Sequence, residues 1–224
     1  MMTTIVAIYT GQGLADPLKT LFKEHLPEVR LFNISDDSLI QHVIRDGKVT
    51  QSVALRLIQY YKIAVDIGAD YILNTCSSVG EVADAARKLF DTPILKIDEP
   101  MAKEAAASYE TVGVLATLPT TLKPTVNLLQ SQAALMGKTL TVIEGLAKGA
   151  YQALIEKNPT RHDKLILEAA QELAGQVDAI VLAQGSMARM EKDLKEKTGI
   201  PVLSSPQLCI REIKSILAQG KLHP

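Results

Sequence analysis

The group best suited to chemistry in this sequence is a thiol where a strand gives way to a helix. In Asn74-Thr75-Cys76-Ser77-Ser78-Val79-Gly80 a β-rich run ends and a helical pattern begins, so Cys76 falls at or near a helix amino terminus. The partial positive charge of a helix start favours thiolate, so the expected pKa lies below the free value of about 8.5. Ser77 and Ser78 add hydroxyls beside backbone N–H groups, a suitable cradle for a carboxylate or an enolate oxygen. A small buried cysteine followed by a serine cap has the same sequence signature. The second cysteine, Cys209, lies in a helical pattern between Leu208 and Ile210 and reads as core.

Other candidates carry less. Gly11-Gln12-Gly13 follows a strand, but the third glycine of a dinucleotide fingerprint is replaced by Asp16, whose charge opposes a pyrophosphate. Tyr9 closes a strand beside Thr10, where a phenol could orient an enolate or simply pack. Glu99 precedes Pro100 and reads either as an orienting carboxylate or as a helix-start residue. Arg189 could reach a second substrate carboxylate; Glu81 holds the matching place earlier in the chain. His25, His42, His162 and His223 show no metal-ligand spacing, so no metal is expected.

Short β-rich runs alternate with longer helical patterns, which argues for βα units and parallel sheets. Strands are expected at 5–9, 29–33, 71–75, 93–97, 112–116, 139–143, 179–183 and 201–203, with helices at 53–67, 121–136, 164–173 and 207–217. The polar segment 35–51 reads as a lid or as part of a subunit interface. An internal repeat organises these elements. The run from Ala69 to Ser78 lines up with Val177 to Ser186, setting Cys76 on Gln184 at an offset of 108. The same offset carries Pro93-Ile94-Leu95 onto Pro201-Val202-Leu203, and Thr4 to Thr10 matches Thr111 to Thr117 at an offset of 107.

The fold expected is therefore α/β: two pseudo-symmetric βα-repeat, Rossmann-like halves with parallel sheets and the active site in the cleft between them. The first half is residues 1–100 plus 205–224, the second 101–204. Thr10, Cys76, Thr117 and Gln184 would converge at the carboxyl ends of the strands, where helix amino termini offer free N–H groups.

Composition narrows the classes. Hydrophobic residues make up 47% but aromatics only 4%, with no Trp, so the core must be aliphatic, which suits buried parallel strands. A formal net charge of -1 offers no basic surface for nucleic acid. No signal peptide is apparent, and no apolar run reaches the roughly 18 residues of a membrane span. Two cysteines are too few for a disulfide framework, so a reduced, cytoplasmic protein is expected.

The stretch from Leu73 to Gly80 resembles the first cysteine motif of the aspartate/glutamate/hydantoin racemase superfamily. Ile97-Asp98-Glu99-Pro100 is similar to the Glu-Pro segment after the next strand, and Val112 to Thr121 to the segment opening the second half. Val181 to Ala188 resembles the second cysteine motif, with Gln184 where the cysteine belongs. The resemblance implies PLP- and metal-independent isomerase or racemase chemistry, without cofactor, at the carbon next to a carboxylate or carbonyl of a small acid. Cys76 would be base or nucleophile. Substrate would be held by Thr10, Asn74, Ser77, Ser78, Thr117, Thr120, Thr121, Gln184, Gly185 and Ser186, in a homodimer or higher homo-oligomer. In the family's racemases two cysteines flank the reacting carbon. A carboxamide cannot exchange protons near neutrality, so Gln184 argues against symmetric racemisation here. A decarboxylase using Cys76 as its single proton donor, or a non-catalytic carboxylate-binding protein, are the alternatives.

Overall fold

The computed structural model describes residues 2–220; His223 and the end of the 205–224 segment lie outside the described residues. The chain divides into two compact units, Met1–Pro100 with Pro206–Pro224, and Met101–Ser205.

In the first unit β1 (Thr3–Tyr9), α1 (Ala15–His25), β2 (Val29–Ser35), α2 (Ser38–Asp46), α3 (Gln51–Asp66), β3 (Tyr71–Asn74), α4 (Gly80–Ala86) and β4 (Ile94–Lys96) follow in order, with α5 (Glu99–Ser108) leading away. The strands form a parallel sheet in the order β2-β1-β3-β4. Because side chains alternate along a strand, the apolar run of β1 covers both faces. Val6 and Ile8 pack with Leu57 and Tyr61 of α3 and Ala83 of α4, while Ile5, Ala7 and Tyr9 pack with Leu18 and Phe22 of α1.

The second unit repeats the pattern: β5 (Thr111–Ala116), α6 (Pro119–Leu135), β6 (Thr141–Leu146), α7 (Ala150–Ile155), α8 (Pro159–Ala174), β7 (Ala179–Leu182), α9 (Glu191–Thr198) and β8 (Val202–Ser204), with sheet order β6-β5-β7-β8. α8 lies so close to β6 that a Cβ on Gly145 would stand 2.5 Å from Leu173 Cδ1. The last helix, α10 (Ser205–Ala218), returns to the first unit, where Cys209, Ile210 and Ile213 join the β1–α1 core.

The duplication extends to single hydrogen bonds. Asp70 Oδ2 accepts the Thr4 N–H at 2.8 Å, and Asp178 Oδ2 accepts the Thr111 N–H at 2.8 Å. The Ile72 N–H donates to the Pro93 carbonyl and the Ile180 N–H to the Pro201 carbonyl, both at 2.9 Å.

The segment 35–51 forms the end of β2, the helix α2 and the start of α3. Leu39 and Val43, four residues apart, bury one face of α2 against the core. The polar residues that hid this helix in the sequence occupy its other face, and Gly47, at φ 65°, closes it in the left-handed conformation.

Candidate active site

Thr10, Cys76 and Asp98 each follow the last residues of a neighbouring strand, β1, β3 and β4, at the carboxyl edge of the first sheet. Cys76 is extended, at φ −128° and ψ 117°, and a 3₁₀ turn (Ser77–Val79) separates it from α4. The Thr10 hydroxyl and the backbone N–H groups of Ser78 and Val79 hydrogen-bond the sulfur. Cys76 is half-buried, whereas Thr75, Ser77 and Ser78 beside it are buried.

The loop is fixed from beneath. Asn74, fully buried, accepts the Tyr61 hydroxyl at 3.1 Å and donates its amide to the Cys76 carbonyl at 3.0 Å. Its polar atoms thus hold the thiol-bearing turn. The Thr75 hydroxyl donates to the Ile8 carbonyl at 2.8 Å, tying β3 to β1 just before the cysteine.

The thiol departs from the sequence expectation. Burial pushes the Cys76 pKa up, and the nearby Asp98 charge acts in the same direction; Thr10 and the two N–H groups oppose the rise without reversing it. The physical reason is the short turn at the expected helix start. A single 3₁₀ turn followed by a helix of seven residues supplies little dipole to set against desolvation. The net effect favours the protonated sulfur over what a free thiol would show.

Asp98 is the residue that sequence reasoning missed. It is only 2% exposed, and its Oδ1 has no hydrogen-bond partner among the described residues. Ser77 hydrogen-bonds the carboxyl, and Lys96 contributes an attractive charge, but burial outweighs both and raises the Asp98 pKa. Its signal in the sequence was positional: it is the acid that follows a strand at the edge where Thr10 and Cys76 also lie. The carboxylate of the adjacent Glu99 is taken by Arg87 at 2.7 Å. Tyr9 points to the opposite face of the sheet, into the α1–α10 core, and its hydroxyl donates to Asn33 at 3.1 Å.

In the second unit Thr117 follows β5 and Gln184 follows β7, at φ −128° and ψ 132°, ahead of another 3₁₀ turn (Gly185–Met190). Gln184 Oε1 accepts the Thr117 N–H at 2.7 Å, and Gln184 Nε2 donates to the Thr117 hydroxyl at 2.8 Å. Thr120 and Thr121 lie on the first turn of α6; Thr121 is buried, and Thr120 Oγ1 is buried with no partner among the described residues. Gly185 and Ser186 are half-buried on the turn after Gln184. Arg189 is engaged by Asp163, with Nη1 to Oδ2 at 2.8 Å. Among the described residues no cluster of three or more His, Cys, Asp or Glu could hold a metal ion, and no helix is long and apolar enough to cross a membrane.

A duplicated α/β scaffold thus carries a thiol at the sheet edge of one unit and a carboxamide at the matching place in the other. The chain belongs to the Asp/Glu/hydantoin racemase family, whose model matches residues 6–213. Its fold is that of glutamate racemase RacE1 from Bacillus anthracis, at TM-score 0.80 and 14% identity over 97% of this chain and 83% of that one. Allantoin racemase from Klebsiella pneumoniae aligns at TM-score 0.71 and 18% identity, covering 97% and 89%. Unliganded arylmalonate decarboxylase aligns at TM-score 0.58 and 16% identity, covering 98% and 94%. A search of the curated proteins gives no match. The family and the fold point to chemistry of the racemase and isomerase type.

Proposed function

We propose that this protein is a cofactor-independent isomerase acting at the carbon next to the carboxylate of a small acid, with Cys76 as its proton-transferring or nucleophilic group. The observation that carries the reading is the sulfur itself: half-buried, aimed by Asn74, and hydrogen-bonded by Thr10 and the N–H groups of Ser78 and Val79. As base, the thiolate takes the proton from the reacting carbon and leaves the electron pair as an enediolate, and the thiol then returns the proton. As nucleophile, the sulfur adds to a double bond, the pair moves onto the carbon beside the carboxylate, and bond rotation precedes expulsion of the thiolate. Thr117, Thr120, Thr121, Gln184, Gly185 and Ser186 are the proposed substrate-holding groups of the second unit, a reading supported by the unpaired Thr120 hydroxyl.

A second reading, decarboxylation, is favoured by two observations: burial keeps the Cys76 proton in place, and Gln184 has none to exchange. The bond to the departing carboxylate breaks, its electron pair stays on carbon, and the Cys76 thiol protonates that carbon once. Incubation with a panel of small mono- and dicarboxylates in D2O tests both. Proton NMR reads deuterium entry, chiral chromatography reads isomerisation, and a bicarbonate assay reads loss of carbon dioxide. Turnover lost in Cys76→Ser supports the proposal; an activity that Cys76→Ser leaves unchanged ends it.

A further inference from the structure

We propose that Asp98 is a positioning residue for Cys76: its buried carboxyl, fastened by Ser77 at the neighbouring strand end, opposes loss of the sulfur's proton. The inference goes beyond the proposed reaction, since it concerns the free protein and needs no substrate. Its geometric basis is an enclosed carboxyl with one oxygen lacking any partner among the described residues. Burying such a group is unfavourable unless something nearby answers its charge or its proton.

The groups around it can be named element by element. From β4, Lys96 is almost fully buried but directs its ammonium to Asp84 of α4 at 2.8 Å, so it answers Asp98 only in part. From α5, Glu99 adds a like charge, itself paired with Arg87, which follows α4. From the turn after β3 come the Ser77 hydrogen bond and the Cys76 sulfur, and from α10 comes the buried Cys209 thiol. An ionised Asp98 therefore opposes a thiolate at Cys76, and a thiolate at Cys76 opposes ionisation of Asp98. Two negative charges in one desolvated place disfavour each other.

The test is the pH dependence of Cys76 alkylation by iodoacetamide in the folded protein, in a Cys209→Ala background that leaves Cys76 as the single thiol. Asp98→Asn keeps the size and the hydrogen bond to Ser77 while removing the charge. The midpoint should move to lower pH, raising the alkylation rate below it by about three- to tenfold. Ser77→Ala, which makes Asp98 easier to protonate, should give a smaller shift in the same direction, and none in the Asp98→Asn background. Circular dichroism checks that each variant is folded; should Asp98→Asn not fold, the Ser77→Ala shift carries the test. A midpoint that stays put in the folded variants, or moves to higher pH, overturns the proposal. Because no turnover is measured, its failure is distinct from failure of the proposed reaction.

Discussion

The Gln184 carboxamide grips Thr117 at two points, taking its backbone N–H at 2.7 Å and giving an amide hydrogen to its hydroxyl at 2.8 Å. In the first unit, Thr10 and Cys76 stand at the matching repeat positions and are joined by a hydroxyl-to-sulfur hydrogen bond. One backbone frame thus presents an ionisable thiol in one unit and a proton-inert carboxamide in the other. The nearly equal backbone angles of Cys76 and Gln184 leave the side chain as the difference.

It follows that Gln184→Cys should place a second thiol beside Thr117 with no change of backbone. Loss of the hydrogen bonds to Thr117 should cost about 1–2 kcal/mol of stability, read by urea unfolding. In the folded protein the new thiol should be alkylated by iodoacetamide, in a background where Cys76 and Cys209 are replaced by Ala. A folded variant with no new alkylatable thiol, or with unchanged stability, would sink this prediction.

Thr10→Val removes the hydroxyl that stabilises the thiolate while keeping the shape of the side chain. Since that bond lowers the Cys76 pKa, its loss should raise it further. The thiolate fraction at pH 8, and with it the alkylation rate, should fall by about three- to tenfold. The sign is opposite to that expected for Asp98→Asn, so the two variants together separate charge from hydrogen bonding. An alkylation rate as fast as the parent's would contradict the assignment of Thr10.

Much of this architecture was legible in the chain. The apolar runs at 5–9 and 112–116, and the repeat that sets Ala69–Ser78 on Val177–Ser186, specify parallel strands covered on both faces. Three expected strand ends run one residue long, because the N–H groups of Thr75, Ile97 and Ala183 still donate to the neighbouring strand just past the ends of β3, β4 and β7. The helix α2 was not read, because its buried stripe is only Leu39 and Val43 among polar residues. At the candidate site, sequence indicated which residues end strands but not what burial does to them. The Cys76 pKa rises because the protein around the sulfur outweighs a short turn, and Asp98 matters because it is enclosed. Both are properties of three-dimensional packing that no spacing encodes.

Asn74→Ala should destabilise the fold by about 2–4 kcal/mol, since it strands the Tyr61 hydroxyl and the Cys76 carbonyl in a buried place. Tyr61→Phe removes one of these bonds and should cost about 1 kcal/mol. If Asn74 holds the turn, Asn74→Ala should also loosen it, and hydrogen exchange at the Ser78 and Val79 amides should accelerate more than in Tyr61→Phe. Equal exchange in both variants would assign Asn74 to the core alone.

Alkaline pH should weaken the protein, and Cys209 supplies part of the reason. Burial, reinforced by the Asp98 charge, raises its pKa well above the ordinary thiol value of 9.0. Below that value both folded and unfolded chains carry the proton, so the thiol makes stability no more pH-dependent. Above it the unfolded chain releases the proton while the folded chain keeps it, and stability falls by at most about 1.4 kcal/mol per pH unit. Cys76 adds to the slope from the same value, and Tyr9 and Tyr61, raised by burial, join it above 10.0. Cys209→Ala should therefore be less stable than the parent at pH 8, by about 1 kcal/mol for the lost packing. At pH 10 the gap should narrow or reverse, as urea unfolding under reducing conditions would read. A gap equal at both pH values would mean that the folded protein lets Cys209 ionise as freely as the unfolded chain does.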